Sequence, residues 1–245
     1  MGSLAELERM VGVPFASGAA EWERWENWLL TDCTAADPEL ADDGMAHPVA
    51  LFPLSLRAAG VTIASLFERF GVGAGGSVRL AGYGWEYHRP LRVGQRYTGS
   101  AVVQRATAIG SALEVEFALL LSDDEGPVAA VDPQRMKTMA AVLRDPYPVH
   151  WDRAGNQRLG YGSRVVNQGP LNVGYIVNML EAWAGRGSIR SIAVRFHGRV
   201  FDGDTVTARG EVRRTERDLV YCDVWLERDG ERVMSGEAVV RAVLS

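Results

Sequence analysis

The sequence predicts an α+β protein in which two antiparallel sheets are each wrapped around a central helix. Three observations carry this prediction: an apolar helix pattern in each half of the chain, a run of strand-like segments after each helix, and a short repeat between the halves. With 245 residues, of which 47% are hydrophobic, the chain is long enough to bury a full core in one or two domains.

The helix of the second half is expected over residues 171–183. Leu171 and Tyr175 belong to an apolar pattern at helical spacing. Pro170 suits the first helical position, and Gly185 suits the C-terminal cap. Apolar residues also occupy most of the other positions, so we expect this helix to be surrounded by other structure.

Strand-like segments rich in β-branched and aromatic residues follow this helix, at residues 189–201, 205–215, 219–227 and 232–244. The turns between them are short, which is typical of an antiparallel meander. One buried helix followed by such a meander is the outline of a hot-dog fold, in which a sheet wraps around a central helix.

The first half of the chain follows the same plan. An apolar helix is expected over residues 50–70, beginning around Phe52 because Pro53 is tolerated only in a first turn. Strand-like runs follow it at residues 96–108, 113–121 and 128–142.

The two halves also share short stretches of sequence. Residues 76–79 recur in outline at residues 187–190. Because the two stretches stand in corresponding places of the two halves, the repeat indicates two fused copies of one domain. We therefore predict a tandem, or double, hot-dog fold, with an N-terminal domain at residues 1–132 and a C-terminal domain at residues 133–245.

Two segments near the N-terminus receive simpler predictions. Trp22, Trp25 and Trp28 have helical spacing, so we expect them to dock the N-terminal segment onto the rest of the protein; the alternative is that they line an acyl or polyketide pocket. Residues 31–45 are rich in Asp and Ala and are expected to form a loop over the entrance of the site.

Asp145 and His150 stand five residues apart on a segment that contains two prolines. Proline fixes its own φ and keeps the preceding residue out of the helical region, so residues 144–150 are not expected to be helical. Such a loop can hold a carboxylate and an imidazole around one water molecule. Asp-Pro and Tyr-Pro pairs are also typical of a surface turn, so this segment alone leaves both interpretations open.

The wider pattern resembles the signature of the MaoC-like hydratase and dehydratase family. That signature is an Asp-x-x-Pro-x-His loop, then a glycine at the start of the central helix, then an Asp-Gly-Asp-Thr turn. The matching residues are Asp145, Pro148, His150, Gly169 and residues 202–205. Tyr147 and Gln168 depart from the family pattern, which usually has Asn and His in these places. The resemblance covers nearly the whole chain and implies a hot-dog fold.

The resemblance also implies the reversible hydration of 2-enoyl thioesters, or the dehydration of 3-hydroxyacyl thioesters. Asp145 and His150 would be catalytic, since a carboxylate and an imidazole can orient water and move its proton near neutral pH. The Gly169 amide, at a helix N-terminus, would donate to the thioester oxygen as it gains negative charge. Its expected neighbours in substrate binding are Asn167, Gln168 and Tyr147, and the candidates for the pocket wall are His47 and Trp151.

The first half lacks the full signature. Asp42 and His47 have the same separation as the pair in the second half, but no proline lies between them. His47 instead stands just before the predicted helix, where the second half has Gln168 and Gly169. We therefore expect the first half to be non-catalytic, to pack against the second half and to shape the acyl pocket.

Composition limits the partners and the compartment. The formal net charge of −5 argues against nucleic acid, because phosphate binding relies on basic clusters. We see no apolar run long enough to span a bilayer and no signal peptide, so we expect a cytoplasmic protein without membrane association. Cys33 and Cys222 are too few for a metal site. No metal or cofactor is expected apart from the CoA or phosphopantetheine of the substrate.

Three classes of function stay open. The first is a hydratase or dehydratase of fatty acid or polyketide metabolism, acting on acyl-CoA or acyl-carrier-protein thioesters. The second is a thioesterase, or a tailoring catalyst for a polyketide-like product, on the same scaffold. The third is a non-catalytic acyl-binding subunit that completes the site of a partner. The fold does not decide between them, and a homodimer and a hetero-oligomer both fit.

Overall fold

The structure is a computed structural model. It describes residues 3–14, 17–72, 81–110, 112–131, 148–150, 152–158 and 160–242. The boundary predicted between the domains, at residues 132 and 133, lies outside these ranges. The strands of the first half are β1 (Gly18–Glu21), β2 (Gly82–Tyr87), β3 (Arg96–Ile109), β4 (Ala112–Asp123) and β5 (Gly126–Val131). Those of the second half are β6 (Ile189–Phe196), β7 (Val206–Glu216), β8 (Leu219–Arg228) and β9 (Glu231–Arg241).

Six α-helices occur within the described ranges. They are α1 (Leu4–Glu8), α2 (Arg24–Cys33), α3 (Leu51–Ala58), α4 (Ile63–Arg69), α5 (Arg153–Arg158) and α6 (Gly169–Ala184). The helix α3 packs against β1, β3 and β4, and α6 packs against β6 to β9. Each half-sheet therefore has its own central helix, and the predicted double hot-dog fold is confirmed.

The two half-sheets meet edge to edge. In the described part of the chain the strands form one nine-stranded antiparallel sheet in the order β1-β3-β4-β5-β2-β6-β9-β8-β7. The connection is the pairing of β2 with β6, in which Gly82 lies opposite Arg195 and Glu86 opposite Ser191. The core on the inner face is continuous across this connection, since Trp85 and Ile192 are both buried.

The central helix of the second half agrees closely with its sequence pattern. Pro170 is in its first turn, and Gly185 ends it with a φ of 95°, a backbone conformation that favours glycine. Buried residues such as Val173 and Ile176 belong to the same hydrophobic core as strand residues such as Ile192. The four strands after α6 lie where the sequence predicts them, with ends that differ by a few residues.

The helix predicted over residues 50–70 is two helices. The prediction of one long helix was wrong, because Gly60 has a φ of 69° and Thr62 begins a new helix with a capping box. The Thr62 hydroxyl accepts from the Ser65 amide at 3.0 Å, and the Thr62 amide donates to the Ser65 hydroxyl at 2.9 Å. Pro53 lies in the first turn of α3, as predicted.

The three tryptophans near the N-terminus have different environments. Trp22 is fully buried and its indole N–H donates to Asn27 at 3.3 Å, so it docks the segment as predicted. Trp25 and Trp28 are 59% and 48% exposed, so the prediction was wrong for these two. The reason is that α2 begins at Arg24, which places Trp22 before the helix and the other two on its outer side.

The lengths and compositions of the helices bear on whether the chain could cross a membrane. Within the described ranges, no single helix is long and apolar enough to cross a bilayer. The segments Pro48–Ala58 and Ile63–Arg69 together have the required length and composition, but they are bent by 57°.

Candidate active site

His150 ends a short 3-10 turn, Pro148–His150, and is half-buried. Its Nδ1 lies 2.7 Å from the carbonyl oxygen of Val166. Because a carbonyl oxygen only accepts, Nδ1 carries the proton and donates it to this bond. In the neutral imidazole the lone pair then lies on Nε2, which is the nitrogen able to take up a proton.

The segment that leads into α6 lies beside this turn. The Val166 amide donates to the Val149 carbonyl at 2.9 Å, and the Asn167 amide donates to the Val200 carbonyl at 2.7 Å. Val166 is three residues before Gly169, so the same backbone carries the acceptor of His150 and the helix N-terminus. Val166 could not be identified from the sequence, because a backbone carbonyl can orient a side chain whatever the type of its own residue.

The Asp-Gly-Asp-Thr turn at residues 202–205 also contacts the segment that leads into α6. The Asp202 carboxylate accepts from the Val165 amide at 2.7 Å and pairs with Arg153 at 2.6 Å. Asp204 accepts from the Phe201 amide at 2.9 Å and pairs with Arg164. Burial works against the ionisation of Asp204, yet these donors hold its pKa below the ordinary value of a carboxyl. The loop, the helix entry and the turn thus meet in one place.

Gly169 is the first residue of α6, and Gln168 is its N-cap. The Gln168 side chain makes no capping hydrogen bond. Amides in the first turn of a helix have no partner inside the helix, and the described residues supply no acceptor for the Gly169 N–H. This amide is therefore a donor at the positive end of the helix dipole, three residues after Val166, whose carbonyl accepts from His150.

Of the other site residues predicted from the sequence, Asp145, Tyr147 and Trp151 lie outside the described residues. The side-chain amide of Asn167 donates to the Asn172 side chain at 2.8 Å, so it is engaged in holding the first turn of α6.

His47 lies at the junction of the two halves and is 2% exposed. Its Nδ1 is 3.3 Å from the Val49 amide, which donates to it, and its Nε2 is 2.9 Å from the Asn178 side-chain oxygen. Nε2 therefore carries the proton of a neutral ring. Burial is the main cause that lowers the pKa of His47, to about 4. Its proposed place in a pocket wall stays a prediction.

The segment expected to form a loop over the entrance lies along α6. The Thr34 carbonyl accepts from the Asn178 side chain at 2.7 Å. Further along, Arg186 pairs with Asp43 at 2.9 Å and with Glu181 at 2.6 Å. This segment therefore joins the first half to the central helix of the second.

The described residues contain no group of three or more His, Cys, Asp or Glu side chains suited to a metal ion. The chemistry that the described site offers comes from an imidazole of fixed tautomer, a helix N-terminus and the charged groups that hold them together.

Residues 120–220 match the family model of the MaoC-like domain. This range begins in β4 and ends in β8, so it contains His150, α6 and the turn that holds Val165. No curated protein sequence matches the chain.

Several solved structures have the same fold. A MaoC-like dehydratase has a TM-score of 0.79 at 14% identity, over 96% of this chain and 99% of that one. A MaoC-like dehydratase from Phytophthora capsici has a TM-score of 0.75 at 17% identity, over 96% and 98%. The 12:0-ACP thioesterase from Umbellularia californica has a TM-score of 0.55 at 11% identity, over 94% of each chain. At such identities the likeness shows the fold alone.

Proposed function

We propose, from the match of residues 120–220 to the MaoC-like domain model, that this chain is a hydro-lyase that adds water reversibly to 2-enoyl thioesters carried on CoA or on an acyl-carrier protein. The observation that carries the proposal is the 2.7 Å contact between His150 Nδ1 and the Val166 carbonyl oxygen, from which the tautomer follows. The bond from Nδ1 to the Val166 carbonyl leaves Nε2 as the basic nitrogen, which is the state that a general base requires at neutral pH.

In the proposed reaction, His150 and Asp145 orient one water molecule, and one of them takes its proton. The water oxygen bonds to the β-carbon of the enoyl group, and the π electrons of the double bond move towards the thioester oxygen. A proton is then returned to the α-carbon on the same face, which gives the 3-hydroxyacyl thioester. General acid–base assistance of this kind contributes about 100-fold to 10,000-fold in rate.

The thioester oxygen gains negative charge as the enolate forms. In the proposal it accepts a hydrogen bond from the Gly169 amide, supported by the dipole of the 16-residue helix α6. Loss of one such donor typically costs about 3 kcal/mol of transition-state stabilisation. The first half supplies no acid–base pair in this scheme and contributes to the acyl pocket.

The second candidate function is hydrolysis of the thioester. The likeness of the fold to an acyl-carrier-protein thioesterase favours it, and an imidazole base suits water attack on a thioester carbonyl as well as on an enoyl group. The third candidate is an acyl-binding subunit without turnover.

One assay separates the three candidates. The purified protein is incubated with crotonyl-CoA and with longer enoyl-CoAs, while enoyl absorbance and free thiol are followed in parallel. If the protein is a hydro-lyase, we expect loss of enoyl absorbance with no thiol release. Thiol release in step with the loss of thioester would support hydrolysis. Binding without either change would support the non-catalytic subunit and contradict our proposal.

A further inference from the structure

Asn156 lies in the short helix α5, six residues after His150, and its side chain is fully buried. The side-chain nitrogen Nδ2 is 2.8 Å from the carbonyl oxygen of Val149 and 2.8 Å from that of Arg164. Both oxygens only accept, so the NH2 group of the amide must face them. This side chain therefore donates both of its protons to two separate segments of backbone.

These two segments are the ones that set the orientation of His150. Val149 directly precedes the imidazole, and Arg164 is two residues before Val166, whose carbonyl accepts from Nδ1. The Val166 amide also donates to the Val149 carbonyl. If the segment around Val166 moved relative to the turn of His150, the 2.7 Å bond that fixes the tautomer would lengthen or break.

The acceptor atom of the same amide, Oδ1, is buried and has no hydrogen-bond partner among the residues that the structure describes. A buried acceptor without a donor lowers stability. An apolar residue would avoid this penalty. It would also leave the Arg164 carbonyl without its donor, and no side chain would then join the two segments by hydrogen bonds.

We propose that Asn156 is a positioning residue for His150. It holds the Val166 carbonyl against Nδ1 and thereby keeps the basic lone pair on Nε2. Asn156 itself touches no reacting atom in this scheme. The inference rests on the proposed function, in which His150 moves the proton of water, but its first consequence is the tautomer of His150, which exists without substrate.

The tautomer is measured by imidazole ¹⁵N chemical shifts in the labelled, full-length protein. The signals of His150 are identified by their loss in His150→Gln. We expect the Nδ1–H tautomer in the wild type. In Asn156→Ala and in the near-isosteric Asn156→Asp, the share of the Nε2–H tautomer should rise. Turnover of enoyl-CoA should fall about 10-fold to 100-fold, with KM changed less than about 3-fold, because the base is misaligned while the binding groups remain.

Asn27 is the matched control. It is equally buried, and its Nδ2 also donates to two backbone carbonyls, those of Ala41 at 3.0 Å and Met45 at 3.3 Å, but in the first half. Asn27→Ala should leave the His150 signals at their wild-type shifts. If Asn156→Ala does not fold, Asn156→Asp decides the question by the same measurement.

Unchanged His150 signals in a folded Asn156 variant would overturn the inference, and so would equal changes in Asn27→Ala. Failure of the proposed function has a different result: the wild type would then not hydrate any enoyl thioester, whatever the tautomer spectra show. The two failures are therefore distinguishable.

Discussion

His47 in the first half and Asn178 on the central helix of the second half share a hydrogen bond of 2.9 Å in the interior of the protein. The histidine N–H donates and the amide oxygen accepts, so the bond as it stands requires only a neutral ring. The same Asn178 donates through its nitrogen to the Thr34 carbonyl. One asparagine thus links the second half to two points of the first.

The pKa of His47 predicts how stability depends on pH. In the folded protein burial lowers it to about 4, from an unfolded value of 6.5. As pH falls below the unfolded value, the unfolded chain takes up a proton that the folded protein does not. The free energy of unfolding should therefore be unaffected by this group above about pH 7 and should drop by about 2 kcal/mol between about pH 7.5 and about pH 5.

Denaturant titrations at these two pH values measure this loss. Other groups also titrate in this range, so the quantity of interest is the difference between the wild type and His47→Gln. The glutamine variant keeps a donor for Asn178 but has no imidazole, so its stability should fall less on acidification. Equal losses in the two proteins would show that His47 is not the titrating group.

Gly174 of α6 lies close to Thr34 of the first half. A Cβ at this position would lie 2.5 Å from the Cγ2 of Thr34. Gly174→Ala should therefore destabilise the fold by about 1 to 3 kcal/mol, although alanine is the better helix former. The melting temperature and denaturant unfolding measure the loss.

Thr34→Ser is the companion change in this test. It removes Cγ2 but retains the hydroxyl, which donates to the Leu30 carbonyl at 2.8 Å. The double variant should recover about 1 kcal/mol or more relative to the sum of the single changes. Additive effects would mean that the two residues do not meet in solution.

The pair proposed for water activation is tested by His150→Ala and Asp145→Asn. Each should lower turnover of enoyl thioesters by at least about 100-fold while the protein still melts cooperatively. Asp42→Asn is the control from the first half, where Asp42 is an exposed partner of Arg24 at 2.7 Å. It should leave turnover nearly unchanged. A large loss of turnover in Asp42→Asn, with full activity in His150→Ala and Asp145→Asn, would indicate that the catalytic groups lie in the first half.

Gly169→Ala separates a structural from a functional role of the helix entry. Gly169 is not among the glycines with positive φ, so alanine meets no backbone strain there and the melting temperature should stay near that of the wild type. If the amide donates to the thioester oxygen, the added methyl obstructs the substrate and hydration falls sharply. A variant that melts and hydrates normally would remove Gly169 from the site.

Much of the fold follows from local sequence pattern. In β8, buried residues alternate with partly buried ones, and β-branched and aromatic residues mark the strands after α6, so their positions were predicted to within a few residues. The break at Gly60 was missed, because the apolar pattern continues across it and only the backbone conformation shows the interruption. The strand β1 was missed as well, since its Gly-Ala-Ala-Glu sequence has none of the β-branched or aromatic residues that mark strands.

The candidate site was predictable only in part. His150 and Gly169 could be proposed from the sequence because their residue types carry the chemistry and the signature spacing. The roles of the Val166 carbonyl and of the Asn156 side chain could not be predicted. They depend on hydrogen bonds between separate segments, which no sequence periodicity encodes. The burial of His47 is a further case, since its partner Asn178 is 131 residues away along the chain.

The pairing of β2 with β6 determines what happens when the chain is cut. Either half expressed alone would present a full-length strand of the sheet interior as a free edge, with unpaired N–H and C=O groups of β2 or β6 open to other molecules. Such an edge is a template for intermolecular pairing and aggregation. We therefore expect the halves to be unsuited to separate production or to exchange as modules, and we expect truncation of one half to leave a product prone to aggregation.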